Sequence, residues 1–285
     1  MRTGLIGLGN LGRAMAKRLI SQGVDLIVWN RTKDKASDLG ADFATSPADL
    51  LSQVHLVFLS LFDSEAVKTV VSGEEGLLKG DCKGKIIIDT STNHFDSVTT
   101  FHEIIKEHGA FYLESPVLGS VVPAQRGTLT VLVSGDRNAF EKALPFLKKI
   151  GDNIFFVEKP ALATKMKLIN NLVLGSFMAT IAEALAFGED VGLEKELVLD
   201  ILAAGAGNSM VLNAKREKLI NDDFTTQFSS ALIYKDLHCL QDLARKLRRP
   251  LFTGSIAKEL FAMTFTKDFE NLDLSVLYKM LKDFR

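Results

Sequence analysis

The chain has 285 residues, 47% of them hydrophobic, and its 34 basic and 35 acidic residues leave a formal net charge of −1. This length allows two domains with substantial cores, and the near balance of charge excludes a broad field that would attract nucleic acid or an anionic membrane. A small molecule is therefore the expected partner.

Cysteine and histidine usage gives no support to a disulfide framework or a metal site. Cys82 and Cys239 are the only cysteines, and the histidines at positions 55, 94, 102, 108 and 238 lack metal-ligand spacing. The first predicted strand starts at about Arg2, so we expect no signal peptide, and no apolar run reaches the roughly 18 residues of a membrane span. A reducing, cytoplasmic location is expected, with no metal.

A glycine-rich turn lies close to the start of the chain. Gly7-Leu8-Gly9-Asn10-Leu11-Gly12 follows an apolar run at residues 4–6 and precedes a helical pattern at residues 13–19. A strand that breaks at glycines and continues as a helix exposes backbone N–H groups, which bind a pyrophosphate. In isolation such a pattern also fits an ordinary tight loop, but its context predicts a dinucleotide site.

The residues after the second predicted strand indicate which dinucleotide binds. An NAD site usually has Asp or Glu about 20 residues beyond the glycines, where the acid bonds the ribose hydroxyls. Here the strand at residues 26–29 is followed by Asn30-Arg31-Thr32 instead. Arg31 can pair with a 2′-phosphate and Thr32 can donate to it, which predicts NADPH. The alternative is that Arg31 is a solvated turn residue.

The alternation of elements predicts an α/β fold. Short apolar runs alternate with helical stretches up to residue 160, which indicates a doubly wound Rossmann domain of parallel strands. A connecting helix at 161–190, apolar on most faces and therefore expected to be buried, follows, and residues 191–285 predict an all-helical domain. The strands are expected at residues 4–6, 26–29, 55–59, 86–89, 111–113, 129–133 and 154–157, and the later helices at 194–204, 230–246, 254–265 and 274–282.

The connecting helix carries two polar residues with the spacing of one helical turn. Lys167 and Asn171 share a face about 6 Å apart along the axis. Burying idle polar groups is costly, so they are expected to line a cleft and hold one ligand. The alternative is a lysine that reaches solvent while its stem packs. Lys165 lies about 200° around the helix from Lys167, so only one of the two can face that cleft.

The ordered motifs of the whole chain resemble those of the β-hydroxyacid dehydrogenases. They comprise the glycine turn, Trp29-Asn30-Arg31-Thr32, Asp89-Thr90-Ser91-Thr92, Glu114-Ser115-Pro116-Val117-Leu118-Gly119-Ser120, residues 165–171 and Lys235-Asp236-Leu237. The resemblance is nearest to the glyoxylate and succinic semialdehyde reductase branch. It implies NADPH-dependent reduction of small carboxylate-bearing aldehydes or keto acids to hydroxy acids, by a dimer or tetramer, with a homodimer expected here.

The resemblance also implies site roles. Lys167 matches the catalytic general acid, and Asn171 would orient the substrate. Thr92 and Lys235 match cofactor contacts, whereas Ser91, Gly119, Ser120, Phe228 and Asp236 match substrate contacts. Leu61 and Phe62 follow a strand end and are expected to line the nucleotide crevice. The alternatives are helix capping by Ser91 and Thr92, strand-end packing by Leu61 and Phe62, and a solvated helix face at Lys235 and Asp236.

Three departures from the family pattern concern the substrate and the helix start. Leu118, at a substrate position, stands where serine is usual and cannot donate a hydrogen bond to a carboxylate. The site is therefore expected to take a bulkier or more apolar acid, with Ser120 supplying the hydroxyl. Residues 159–164 lack the usual glycines, and Phe62 replaces a common proline.

Two other functions remain open: an oxidising 3-hydroxyacid dehydrogenase of hydroxyisobutyrate- or serine-like substrates, and a non-catalytic NADP-binding scaffold.

Overall fold

The computed structural model describes residues 2–283. They form two compact units, an N-terminal unit up to Lys167 and a C-terminal unit from Leu168. The N-terminal unit contains a sheet with helices, and the C-terminal unit contains helices. The predicted α/β class is therefore confirmed.

Within the described residues, nine strands form one sheet in the N-terminal unit. Its order is β3-β2-β1-β4-β5-β6-β8-β7, with β9 paired to β8. Strands β1, β2, β4 and β5 are apolar and almost wholly buried, as expected of strands covered on both faces. The strands are Thr3–Ile6 (β1), Leu26–Trp29 (β2), Asp42–Phe43 (β3), Leu56–Leu59 (β4), Ile86–Asp89 (β5), Phe111–Glu114 (β6), Val117–Leu118 (β7), Leu129–Gly135 (β8) and Gly151–Glu158 (β9).

The expectation of an all-parallel sheet is wrong at one edge. Strands β1 to β6 run parallel to one another, but β8 is antiparallel to both β6 and β7. A parallel pair needs a crossover of a dozen or more residues, and only residues 119–128 separate β7 from β8. The chain therefore turns back on itself there, which places the 116–120 turn beside β8.

Twelve α-helices occur within residues 2–283. The helix at Met210–Ile220 was not predicted, because its apolar residues form no stripe and its buried side chains include Lys215 and Lys218. The helices are Asn10–Ser21 (α1), Pro47–Ser52 (α2), Ser64–Ser72 (α3), Phe95–Glu107 (α4), Val121–Arg126 (α5), Arg137–Ile150 (α6), Leu162–Asp190 (α7), Lys195–Ala204 (α8), Met210–Ile220 (α9), Ser230–Lys246 (α10), Thr253–Ala262 (α11) and Leu277–Lys282 (α12).

Helix α7 is less buried than the sequence predicted. An apolar stripe of residues spaced four, three, four and four apart is 40–47% exposed, namely Leu162, Met166, Ile169, Val173 and Phe177. The prediction that α7 is buried on most faces is wrong for this stripe. The periodicity of apolar residues does not distinguish a face packed in the core from an apolar face at the surface.

By length and composition α7 is one helix that could cross a membrane, with a mean hydropathy of 1.4. The absence of a continuous apolar run therefore did not exclude a membrane span for this segment. The core helix of a soluble protein meets the same test, and 44% of the apolar window is buried. The cytoplasmic location stays a prediction.

The buried imidazole of His102 predicts a pH-dependent stability. Burial lowers its pKa to about 4 from 6.5, and its ring lies edge-on to Tyr112 with centroids 4.8 Å apart. The His102 imidazole binds a proton more readily in the unfolded chain than in the folded one. Its contribution to the free energy of unfolding is therefore complete above pH 6.5 and is lost as the pH falls toward 4. At about 1.4 kcal/mol per pKa unit, the full loss is about 3 kcal/mol.

The variant His102→Leu should remove the contribution of this histidine to the pH dependence of stability. The free energy of urea unfolding, measured at pH 7 and pH 4.5, should fall less in the variant than in the wild type. His55→Gln changes an exposed histidine and should retain the wild-type difference. An unchanged difference in His102→Leu would show that the pH dependence arises elsewhere.

Candidate functional site

The glycine turn is tightly packed on its inner side and open on its outer side. Gly7 has φ +97°, and a Cβ there would lie 2.2 Å from the Ser60 carbonyl oxygen. A Cβ at Gly12 would lie 2.0 Å from the Gly7 carbonyl oxygen. At Gly9, by contrast, a Cβ would meet no described atom within 4 Å. The turn thus leaves an open cradle at the N-terminus of α1, which fits a diphosphate group.

The topology of the sheet places this cradle where ligands bind in doubly wound folds. Strands β1 and β4 are neighbours, and the sheet continues through β2 and β3 on one side and through β5 and β6 on the other. The order of the strands therefore reverses between β1 and β4, and a crevice opens at their carboxyl ends. Gly7 and Ser60 follow these two strands directly.

Asn30 connects the glycine turn to the end of β2. Its Oδ1 accepts from the Leu8 N–H at 2.9 Å, and its Nδ2 donates to the Thr32 carbonyl at 2.8 Å. Arg31 and Thr32 are exposed at the surface, as is Asn10, and Leu11 is half-buried. The Asn30 side chain therefore shapes the segment that presents Arg31.

A buried carboxylate organises the loop after β5. The Asp89 Oδ1 accepts from the Ser91 N–H at 2.9 Å, and its Oδ2 accepts from Asn93 Nδ2 and the Tyr112 hydroxyl at 2.8 and 2.7 Å. Burial raises the pKa of Asp89 and the pKa of Tyr112. Sequence reasoning missed this role of Asp89, although an acid that ends an apolar strand is a usable signal.

This loop contacts the loop after β4. The Leu61 N–H donates to the Ser91 Oγ at 2.9 Å. Phe62 is 52% exposed and Thr92 is half-buried. Helix α4 is capped by His94, whose side chain accepts from the Asp96 N–H, so the alternative that Ser91 or Thr92 caps this helix is wrong.

Lys167 points toward the turn after β6. The side chain is 6% exposed, and its Nζ donates to the Val117 carbonyl at 2.7 Å. Leu118 is half-buried, Gly119 is exposed with φ +117°, and Ser120 is the residue before α5. The alternative in which Lys167 reaches solvent is wrong, because its ammonium group is held inside the N-terminal unit.

Lys165 has different surroundings. Its Nζ lies 5.9 Å from the centroid of the Phe95 ring, whereas the Nζ of Lys167 bonds to Val117. The two lysines thus have separate partners, as expected of side chains about 200° apart around a helix.

In the C-terminal unit, three predicted site residues form one cluster. The wholly buried Asn171 donates from Nδ2 to the Asp236 Oδ2 at 2.6 Å, and Lys235 Nζ donates to the Asp236 Oδ1 at 2.7 Å. Asp236 is 1% exposed, so the alternative of a solvated face is wrong for this residue. An amide carries two N–H donors, and the bond to Asp236 uses one of them.

Phe228 precedes α10 and is held differently. Its N–H donates to the Asp273 Oδ2 at 3.2 Å, and Lys215 Nζ donates to the same oxygen at 2.9 Å. The buried ion pair of Lys215 and Asp273 therefore fixes the segment that carries Phe228. Within residues 2–283, no three His, Cys, Asp or Glu side chains cluster as a metal site would require.

Two family models together match almost the whole chain. Residues 2–158 match the NAD binding domain of 6-phosphogluconate dehydrogenase, and residues 162–281 match the NAD-binding domain of NADP-dependent 3-hydroxyisobutyrate dehydrogenase. The boundary between the two matches falls just before α7.

Curated relatives and solved structures resemble the chain over nearly all of its length. It is 33% identical to glyoxylate/succinic semialdehyde reductase 2 of Arabidopsis thaliana, covering 98% of this chain and 79% of that protein. It is also 33% identical to the human cytokine-like nuclear factor N-PAC, covering 98% of this chain but only 51% of that protein. A structure of Psf3 in complex with NADP+ and 2-OPP is 28% identical, with a TM-score of 0.90 over 98% of this chain and 99% of that one.

Proposed function

The chain belongs to the β-hydroxyacid dehydrogenase family of NAD(P)-dependent oxidoreductases, and we propose that it uses NADPH to reduce a small carboxylate-bearing aldehyde or keto acid to a hydroxy acid. The observation that carries this proposal is the buried Lys167, whose ammonium is held at the Val117 carbonyl, two residues before the exposed Gly119. Glyoxylate and succinic semialdehyde are the proposed substrates, because a reductase of both is 33% identical to this chain.

The proposed cofactor site consists of the open cradle and the residues around it. The N–H groups of the Gly7–Gly12 turn would hold the diphosphate, and the exposed Arg31 and Thr32 would hold the 2′-phosphate. Leu61, Phe62 and Thr92 follow the strands that border the crevice, and we assign them to the nicotinamide side of the dinucleotide. Lys235 is assigned to the cofactor by family resemblance.

Arg31→Ala should weaken the preference for NADPH. Loss of a charge-assisted bond to phosphate costs about 1.5 to 3 kcal/mol, or roughly 10- to 100-fold in affinity. Titration of nucleotide fluorescence should show this loss for NADPH and a change below about twofold for NADH. The exposed Lys79 provides a control, because Lys79→Ala also removes one surface cation. Equal losses for both nucleotides would contradict a role for Arg31 at the 2′-phosphate.

Lys167 is proposed as the general acid. Bound NADPH would supply a hydride to the carbonyl carbon of the substrate, and the carbonyl oxygen would then carry negative charge. The Lys167 ammonium donates to the Val117 carbonyl at 2.7 Å. With substrate bound, this ammonium would stabilise the alkoxide and transfer one proton to it, and solvent would then return a proton to the amine.

Asn171 and the substrate turn are proposed to orient the substrate. The second N–H of Asn171 can donate to the substrate oxygen, because Asp236 holds the amide in place. For the substrate carboxylate we propose the backbone of Gly119 with the hydroxyls of Ser91 and Ser120. Phe228 completes the set by family resemblance. Leu118 adds an apolar wall, which favours an acid with an alkyl chain over glyoxylate.

The experiment that tests this function is an assay of nucleotide oxidation by the purified protein. NADPH or NADH is combined with glyoxylate, succinic semialdehyde and longer keto acids, and the reverse reaction is assayed with 3-hydroxyisobutyrate and serine. Turnover with NADPH and an aldehyde acid is expected. Turnover only in the oxidative direction with NAD would support the dehydrogenase alternative, and tight NADPH binding with no turnover would support a binding scaffold.

We also infer a homo-oligomer, with the exposed stripe of α7 as its contact. Five apolar side chains in a continuous helical row, each 40–47% exposed, leave apolar area that a second copy of the chain can cover. A dimer or larger species is expected by light scattering of the purified protein, and a monomer would contradict the inference.

A further inference from the structure

The first turn of α7 has no capping residue in its own sequence. The chain approaches the helix through Ala161, which has φ +66° and carries only a methyl group. Alanine is among the poorest residues for this position. The first N–H groups of a helix have no partner inside the helix, so those of Ala163 and Thr164 must be satisfied elsewhere.

Two strands of the sheet supply the missing caps. The Ser134 Oγ on β8 accepts from the Ala163 N–H at 3.0 Å. The Glu114 Oε2, at the end of β6, accepts from the Thr164 N–H at 3.2 Å and from the Thr164 hydroxyl. Glu114 and Ser134 are register partners across β6 and β8. The helix start is thus fastened to adjacent points of one sheet.

The Glu114 carboxyl is deeply buried. It is 1% exposed, and burial raises its pKa while the hydrogen bonds from Thr164 oppose that rise. A buried carboxyl costs free energy unless it is well bonded, so a residue there merely to fill space would be better apolar. Its position at a helix N-terminus, where negative charge is favourable, explains how it is accommodated.

The same short segment holds α7 at a second point. Val117, three residues after Glu114, accepts from Lys167 at 2.7 Å, and Lys167 is three residues after Thr164. The Glu114-to-Val117 segment and the first turn of α7 are therefore joined at both ends. A shift of one end moves the ammonium group relative to the turn that follows Val117.

We propose that Glu114 is a positioning residue, which caps the first turn of α7 through Thr164 and thereby holds the Lys167 ammonium in place for proton transfer. This inference rests on the proposed function of Lys167. Glu114 does not touch the reacting atoms. A misplacement of about 1 Å can lower a rate about 100-fold. Loss of the Glu114 carboxyl should therefore lower kcat.

Three variants separate positioning from stability. Glu114→Leu removes the acceptor, Thr164→Val removes the hydroxyl and keeps the side-chain shape, and Glu114→Gln keeps an acceptor oxygen. Asp136→Ala is the matched control, because Asp136 caps α6 by accepting from the Ala139 N–H at 2.8 Å in the same unit. We expect Glu114→Leu to lower kcat with NADPH and succinic semialdehyde about 10- to 100-fold, with NADPH affinity within twofold of wild type.

Thr164→Val should show a smaller loss in kcat, and Glu114→Gln should recover most of it. Asp136→Ala should lower the free energy of unfolding and leave kcat within twofold. In the Lys167→Ala background, Glu114→Leu should cause no further loss, because its effect passes through the lysine. A wild-type kcat in Glu114→Leu, or an equal further loss in that background, would overturn the proposal.

A second readout does not depend on turnover. Acetic anhydride acetylates lysine amines, and peptide mass spectrometry measures the rate at Lys167 with Lys165 as an internal reference. Glu114→Leu should change the ratio of the two rates at least threefold, whereas Asp136→Ala should leave it unchanged. An unchanged ratio in Glu114→Leu overturns the positioning role. If Lys167→Ala keeps full activity while the ratio changes, the proposed general acid is wrong and the positioning of the lysine still holds.

Discussion

Lys167→Ala is expected to lower kcat for NADPH-dependent reduction of the aldehyde acid by at least about 100-fold, the scale of a lost general acid. The lost group is the ammonium that donates to Val117. The affinity for NADPH should stay within about threefold, because the proposed cofactor cradle lies at the Gly7–Gly12 turn and not on α7. Steady-state kinetics with a separate binding titration measures both quantities.

Lys165→Ala is the matched control for this prediction. It removes the same charge two residues away, where the amine lies over the Phe95 ring, and it should leave kcat within about threefold. Equal losses in the two variants would point to a general effect of charge on α7. Retention of activity in Lys167→Ala would rule out its role as the proton donor.

Gly12→Ala is expected to lower the free energy of unfolding by about 3 kcal/mol, the upper part of the range for overpacking. The added Cβ would lie 2.0 Å from the Gly7 carbonyl oxygen and 3.1 Å from the Ser60 Cβ. Because backbone must move to make room, the glycine turn should open, and the affinity for NADPH should fall at least about tenfold. Urea unfolding and a nucleotide titration measure the two effects.

Gly9→Ala makes the same chemical change three residues earlier, and it should weaken NADPH binding with little effect on the free energy of unfolding. Its Cβ would meet no described protein atom within 4 Å, and Gly9 has φ −68° and ψ −177°, which alanine adopts readily. Unfolding should change by less than about 1 kcal/mol, while the methyl group obstructs the diphosphate. Wild-type affinity for NADPH in Gly9→Ala would contradict the assignment of this cradle to the diphosphate.

Local patterns were sufficient for most elements of the N-terminal unit. The strand at Leu26–Trp29 and the strand core at Ile86–Asp89 were predicted at their observed bounds, because short apolar runs between turn residues have few other ways to be buried. The strands at Asp42–Phe43 and Val117–Leu118 were not predicted. Two residues carry no periodicity, and these strands are defined only by their pairing with the neighbouring strands β2 and β8.

Some site residues could likewise be found from local sequence patterns, and others could not. Lys167 and Asn171 could be picked out from their spacing on a helix, and Gly7, Gly9 and Gly12 from their spacing in a turn. The long-range partners of Asp89 and Glu114 could not be read in this way. Their partners are Tyr112, 23 residues away, and Thr164, 50 residues away, and no local pattern relates such pairs.

The sequence by itself determined the α/β class, the dinucleotide turn, and a lysine and an asparagine on one helix face, because each follows from residue type and short-range spacing. Only the tertiary structure decided that β8 turns back antiparallel to β6, that Lys167 bonds the Val117 carbonyl, and that Glu114 caps α7. These features depend on which distant backbone and side-chain groups meet when buried polar atoms must find partners, and that condition is met only in the folded chain.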